Sequence, residues 1–215
     1  MTSVLRLVTT LAAALALTMA SGIANAEDTD GMTPEAKAQF DKRIFTKEPA
    51  ARAKTFACFV RRYDADHLAH HPDQKVTAMK LLVTSEWFEE NKSLDHHFRL
   101  GVNFRNRRAT FDSSGSCNHF HPEEAKDETR LGCGVDCDGG GLGIAMSKDD
   151  KSVIVRLDRV CIWQNNKPDD EAGSELVAGK DDGMFRLDRA SLDECRSLIT
   201  DRKELAALRA VSNRR

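Results

Sequence analysis

"LGCGVDCDGGGLGIAMSKDDKSVIVRL", residues 131–157, decides how this chain is read. Its cysteines, aspartates and glycines suggest three chemical motifs, and each fails on a named residue. The glycines fit neither G-x-G-x-x-G nor the phosphate-cradling P-loop, and no Lys follows in the required place. Asp136 and Asp138 begin like a calcium loop with Gly141 at its sixth position. Gly140 then stands at the fifth position and Ser147 at the twelfth, where that loop needs oxygen ligands and a bidentate Glu. Cys133 and Cys137 are four apart, which is neither a C-x-x-C redox pair nor a haem-attachment spacing.

Two consecutive hairpins fit instead. With Asp138-Gly139 as a two-residue loop, Cys137 falls opposite Gly140, Val135 opposite Leu142, Cys133 opposite Ile144 and Leu131 opposite Met146. With Asp149-Asp150 at the next tip, Met146 meets Val153, Ile144 meets Val155 and Leu142 meets Leu157. Three strands then share apolar rungs on one face, and a one-residue slip would turn every rung to the other face. That other face carries Gly132, Gly134, Asp136, Gly141 and Gly143, with Arg156 beside Gly143. A strip so poor in side chains permits close approach. The expectation is internal packing, by a helix of this chain or by Arg156. The alternative is a binding strip for a partner or ligand, with Asp136 as its charged contact.

Working outward, Phe98, Leu100, Val102 and Phe104 alternate with Arg99, Gly101 and Asn103, the period of a half-buried strand. A turn at Asn106-Arg107 would set Phe104 opposite Ala109 and Val102 opposite Phe111. "FACFVRRY" (56–63), "VTAMKLLVT" (76–84) and "MFRLD" (184–188) also read as strands, whereas 114–129 and 165–183 read as polar loops. Ser191 followed by Glu194 is a capping box. It opens a C-terminal helix with Leu192, Cys195, Leu198, Ile199 and Leu205 on one face. The expected fold is mainly β, an antiparallel meander of about eight strands. It forms a barrel or sandwich, which removes exposed edges, and adds a short N-terminal helical arm and a C-terminal helix.

The chain opens with Arg6, an apolar run from Leu7 and an Ala-Asn-Ala close at Ala26, which is the pattern of a signal peptide over 1–26. A polar arm over 27–50, one β-rich domain over 51–210 and a basic tail over 211–215 follow. The leader is too short for a membrane span and no later run approaches the needed length, so no span is expected after cleavage. A formal net charge of −2 gives no electrostatic case for nucleic acid.

All six cysteines lie beyond the leader, and an even count in a periplasmic or secreted chain favours disulfides. Residues four apart on a strand are ~13 Å apart, whereas bridged Cα atoms lie within ~7 Å. Cys133 is therefore expected to bond Cys117 rather than Cys137, with Cys58 and Cys195 as a second pair.

Candidate chemistry is sparse. Cys117, His119 and His121 in "CNHFH" lie on one side of an extended chain and form the best zinc or copper set, but Cys117 has a competing disulfide. His67, His70 and His71 share a helical face ahead of Pro72, where a solvated turn is the simpler reading. His96 and His97 are strand neighbours and point to opposite faces. No G-x-S-x-G, H-E-x-x-H or supported S-x-x-K pattern occurs. The expectation is a soluble exported β-domain without cofactor that binds a protein or small ligand in the cell envelope and catalyses no reaction. A metal-binding protein using its Cys/His clusters, or a hydrolase whose site only the fold assembles, are the alternatives.

Overall fold

A computed structural model of the chain describes residues 32–49, 53–90, 92–136, 138–164 and 174–213. The signal peptide, the start of the polar arm, Cys137 and the end of the basic tail lie outside the described residues. Nine strands form one antiparallel sheet. They are β1 (Thr55–Arg62), β2 (Val76–Phe88), β3 (Ser93–Phe104), β4 (Arg107–Phe120), β5 (Arg130–Gly134), β6 (Gly140–Met146), β7 (Ser152–Gln164), β8 (Ser174–Val177) and β9 (Met184–Ala190). Helices α1 (Pro34–Phe45), α2 (Ala65–His70) and α3 (Arg202–Ser212) accompany them.

The pairings run β1–β2–β3–β4–β5–β6–β7–β9 and return to β1, so the sheet is ring-like. β8 stands outside this circuit, on the far half of β7, and lies in a segment whose sequence reads as loop. The end of β7 also crosses to β4, where Gln164 meets Phe111 and Trp163 meets Asp112.

Alternation explains the wall. In β6–β7, Met146, Ile144 and Leu142 face Val153, Val155 and Leu157, the register that the apolar pattern demands. β5 and β6 are offset by two residues from the expected register: Leu131 pairs with Ile144, and Cys133 with Leu142. A two-residue offset keeps every side chain on its face, so the apolar rungs survive. The cause lies at the turn. Gly140 pairs with Val160 of β7, and Cys161 N–H donates to Gly139 O at 2.7 Å. The loop is thereby drawn toward β7, Asp138 and Gly140 take positive φ of 61° and 71°, and β5 ends at Gly134. The tight Asp138-Gly139 loop does not form. The β3–β4 turn likewise sits one residue early. Phe104 pairs with Arg107, after a register shift, while Val102 meets Phe111 as the alternation requires.

The ring interior is filled by side chains including Phe59, Leu81, Phe98, Leu100, Leu131, Ile144 and Phe185, each at most 1% exposed. A second core lies on the outer face of β1 and β2, where Phe56, Cys58, Val60 and Leu82 pack against Leu192, Cys195, Leu198 and Leu208. The C-terminal segment there is two helices, not one: a 3-10 helix at Leu192–Leu198, then α3. Ser191 makes no side-chain cap: the Glu194 N–H donates to the Ser191 carbonyl at 3.1 Å, and the Glu194 carboxylate accepts from Arg62 at 2.6 Å. Asp201 caps α3 by accepting from Glu204 N–H at 2.8 Å. The buried Glu204 then binds α3 to the sheet, through Arg99 at 2.8 and 2.7 Å and Lys54 at 2.9 Å.

The described part of the N-terminal arm is docked on the sheet. Thr33 caps α1 ahead of Pro34, and Phe40, Ile44 and Phe45 are buried in the same core as Val83 and Phe98. Arg189 donates to the carbonyls of Ile44 at 2.7 Å and Arg43 at 3.0 Å, which places a cation at the negative end of the helix.

Two cysteine pairs stand at disulfide distance. Cys58 and Cys195 join β1 to the 3-10 helix with sulfurs 2.05 Å apart, and Cys117 and Cys133 face one another across β4–β5 at 2.03 Å. Non-reducing peptide mapping should recover these two linkages. Removing the Cys58–Cys195 bridge by paired Ser substitutions should cost about 2–5 kcal/mol in chemical denaturation. A mapped bond from Cys133 to any other cysteine would contradict the β4–β5 register.

Candidate functional site

β4 continues through residues 114–120, a segment whose polar composition reads as loop. The continuation decides where the chemistry lies. Cross-strand partners share a face, so the rung Ser85–His96–Cys117–Cys133 across β2, β3, β4 and β5 points inward. His119, two residues along β4, points the same way. The two histidines are tolerated inside because each finds a hydrogen-bonding partner.

The partner of both histidines is Asp41 of α1. His96 Nε2 lies 2.9 Å and His119 Nε2 lies 2.8 Å from the same oxygen, Asp41 Oδ1. The three residues are 3%, 8% and 3% exposed in the order His96, His119, Asp41. A carboxylate oxygen only accepts, so each Nε2 carries its hydrogen in this arrangement. The two rings meet edge-on with centroids 4.7 Å apart. Phe40 stands edge-on to His119 at 5.7 Å, and Phe45 lies beside His96 at 6.1 Å.

Burial pushes the Asp41 carboxyl up, but hydrogen bonds from His119 and His96, together with their charge, outweigh burial and hold it below its ordinary value. On the solvent side, a cleft of about 850 Å³ separates α1 from the ends of β2, β3 and β4. Pro34, Ala38, Trp87 and Leu94 border it, and the three clustered residues form part of its wall.

The histidines singled out by sequence do not converge. Cys117 is bonded to Cys133, His119 is turned to Asp41, and His121 Nδ1 lies 3.1 Å from Glu128 O, so no C-x-H-x-H site forms. His67 stacks between Tyr63 and His71 and pairs with Gln74, while His70 is bonded to the Asp66 carbonyl. Asp41 and His96 are the members that sequence reasoning missed.

Among the described residues, no helix packs on the glycine strip, and it is open at two of its positions. A Cβ at Gly134 would meet nothing within 4 Å, and one at Gly143 would meet only Arg156 O at 4.0 Å. Gly132 is roofed by the Phe120 ring at 3.3 Å, and a Cβ at Gly141 would collide with the Cys133 carbonyl of β5. Arg156 is exposed and pairs in register with Gly143, and Asp136 lies beyond β5 in the turn. The C-terminal helices cover β1 and β2 instead. Gly132, Gly141, Gly143 and Arg156 border an open groove of about 770 Å³.

No family model, curated protein or solved structure matches the chain.

Two predictions follow from these surroundings. Gly143→Ala has room for its methyl and should gain about 0.4–1 kcal/mol by restricting the unfolded chain. Gly115→Ala would drive a Cβ onto the Gly134 carbonyl and to 3.0 Å from the Phe98 ring, and should lose about 1–3 kcal/mol. Denaturant midpoints that move together in the two variants would contradict this placement of the strands.

The second concerns Asp41. Its folded pKa is below the ordinary 3.8, so its charge contributes stability that is complete above that value and lost as pH falls through the lowered one. Asp41→Ala should cost about 3–5 kcal/mol near neutrality, because both buried imidazoles lose their acceptor. The stability gap between wild type and Asp41→Asn should narrow between about pH 4 and pH 2. A gap that stays constant over that range would show that Asp41 does not carry the charge.

Proposed function

We propose that the protein is an exported β-domain that binds a small ligand in the cleft between α1 and the sheet and catalyses no reaction on it. The observation that carries this reading is the cleft wall, where three buried ionisable side chains meet beside a core otherwise filled with apolar ones. Binding sites commonly combine a concave surface with a few converging polar groups. Two disulfides fit an oxidising, exported compartment. No helix among the described residues is long and apolar enough to cross a membrane.

The non-catalytic part rests on how the histidines are used. His96 and His119 both spend Nε2 on Asp41, and no Ser, Thr or Cys is hydrogen-bonded to a histidine ring among the described residues. A hydrolase of the nucleophile–base type needs such a bond, although it can be long before substrate binds.

Filling the cleft tests the reading. Ala38 lies on its α1 side and is only half-buried, so Ala38→Trp should occupy the space while the helix stays docked. Protein purified from its native envelope, then denatured, should release a stoichiometric small molecule or ion detectable by mass spectrometry. The Ala38→Trp protein, with an unchanged melting curve, should release none. Equal release from both proteins, or no release from either, would remove the cleft from consideration.

A further inference from the structure

We propose that Asp41, His96 and His119 bind a divalent transition-metal ion of the zinc class. The proposal deepens the reading of the cleft as a ligand site by naming its ligand. Two imidazole nitrogens and one carboxylate oxygen are a donor set suited to zinc and to its first-row neighbours, and unsuited to calcium or magnesium. The three donors come from three separate elements: α1, β3 and β4. Their convergence is therefore a product of the tertiary fold and not of local spacing.

The donor atoms stand within reach of one ion. One donor atom from each residue lies within 4.8 Å of the others. A tetrahedral ion with bonds of about 2.0–2.1 Å holds its donors about 3.3 Å apart. Asp41 Oδ1 now stands 2.9 and 2.8 Å from the two nitrogens, so these two separations must open by a few tenths of an ångström, while the two nitrogens, within 4.8 Å of one another, must settle at about 3.3 Å. On binding, each imidazole would present a bare Nε2 to the ion and carry its hydrogen on Nδ1, so neutral rings need lose no proton. The flanking rings of Phe40 and Phe45 restrict how far the imidazoles can turn.

Ser85 stands beside His96 in the sheet. It is 0% exposed, pairs directly with His96 across β2–β3, and so shares its inward face. Its Oγ has no hydrogen-bond partner. A buried hydroxyl left in that condition costs free energy, as it does at Thr84, Ser113 and Ser152. An ion held by three protein ligands has a fourth position, which a water or small anion from the cleft can take. The cleft, bordered by the same three residues, is the route in from solvent.

The test uses the full exported chain, stripped with a chelator and titrated with zinc by calorimetry and with cobalt by absorption spectroscopy. One equivalent should bind with a dissociation constant of about 1 μM or tighter, and cobalt should give the spectrum of a four-coordinate ion. His119→Gln and Asp41→Asn, confirmed as folded by circular dichroism, should each weaken zinc at least about 100-fold. If a variant does not fold, imidazole resonances of the wild-type protein decide: those of His96 and His119 should shift on zinc addition. Shifts confined to His67, His70 and His71, undiminished binding in both folded variants, or no binding tighter than about 1 mM to the wild type would each overturn the proposal. In any of those cases, an envelope ligand still displaced by Ala38→Trp would leave the cleft reading standing and remove only the metal.

Discussion

β7 holds the sheet shut, and the remaining architecture answers to that closure. Its first half is paired on both sides, to β6 through residues such as Val153 and Val155 and to β9 through the same residues. Its second half carries β8 and reaches β4. One strand thus joins the end of the β1–β6 meander to β9, which lies beside β1. A sheet joined in this way has no long free edge to manage, but it acquires an interior that must be filled and two ends that must be closed. Fully buried residues such as Phe59, Phe98, Leu131 and Ile144 meet the first requirement. α1 meets the second at one end by inserting Phe40, Ile44 and Phe45.

Closing an end with a helix brings backbone and polar groups into a poorly hydrated place. The carbonyls at the end of α1 are met by Arg189, whose guanidinium also lies 4.7 Å from the centre of the Phe59 ring. Asp41, in the middle of the buried helical face, is met by two imidazoles on adjacent strands. A buried carboxylate without partners would cost several kcal/mol, so His96 and His119 are part of what allows this helix to dock here. The opposite arrangement holds on the outer wall. There the 3-10 helix and α3 cover β1 and β2 with apolar side chains, and the buried Glu204 is neutralised by Arg99 and Lys54.

The wall was readable in the sequence because alternation is a local property. Val102 against Phe111 and Met146 against Val153 follow from period two alone. The β5–β6 register was not readable, because β7 captures Gly140, and that pairing is non-local. Residues 114–120 read as loop because Ser, Gly, Cys, Asn and His there have weak strand preference. What makes them a strand is a disulfide to β5 and a carboxylate from α1. The site was partly legible in retrospect. Extending the Phe98–Leu100–Val102 alternation backward reaches His96, and Asp41 interrupts the apolar stripe Phe40, Ile44, Phe45. Neither signal says which residue meets which, since 55 positions separate Asp41 from His96 and 78 separate it from His119.

Because one carboxylate both docks α1 and lines the cleft, docking and occupancy are thermodynamically tied. Any ligand that takes Asp41 Oδ1 must replace the two hydrogen bonds it accepts. A ligand offering less than those bonds would loosen the helix, and one offering more would tighten it. A species that binds the folded state alone raises stability by mass action. Here that gain passes through α1 first, since this helix supplies the carboxylate and also buries Phe40, Ile44 and Phe45 in the ring. The glycine groove on the outer wall has no such tie. It is open, it carries no buried ionisable group, and filling it at Gly143 meets no helix. Of the two concavities, only the cleft beneath α1 can convert occupancy into a change in how firmly the ring is closed.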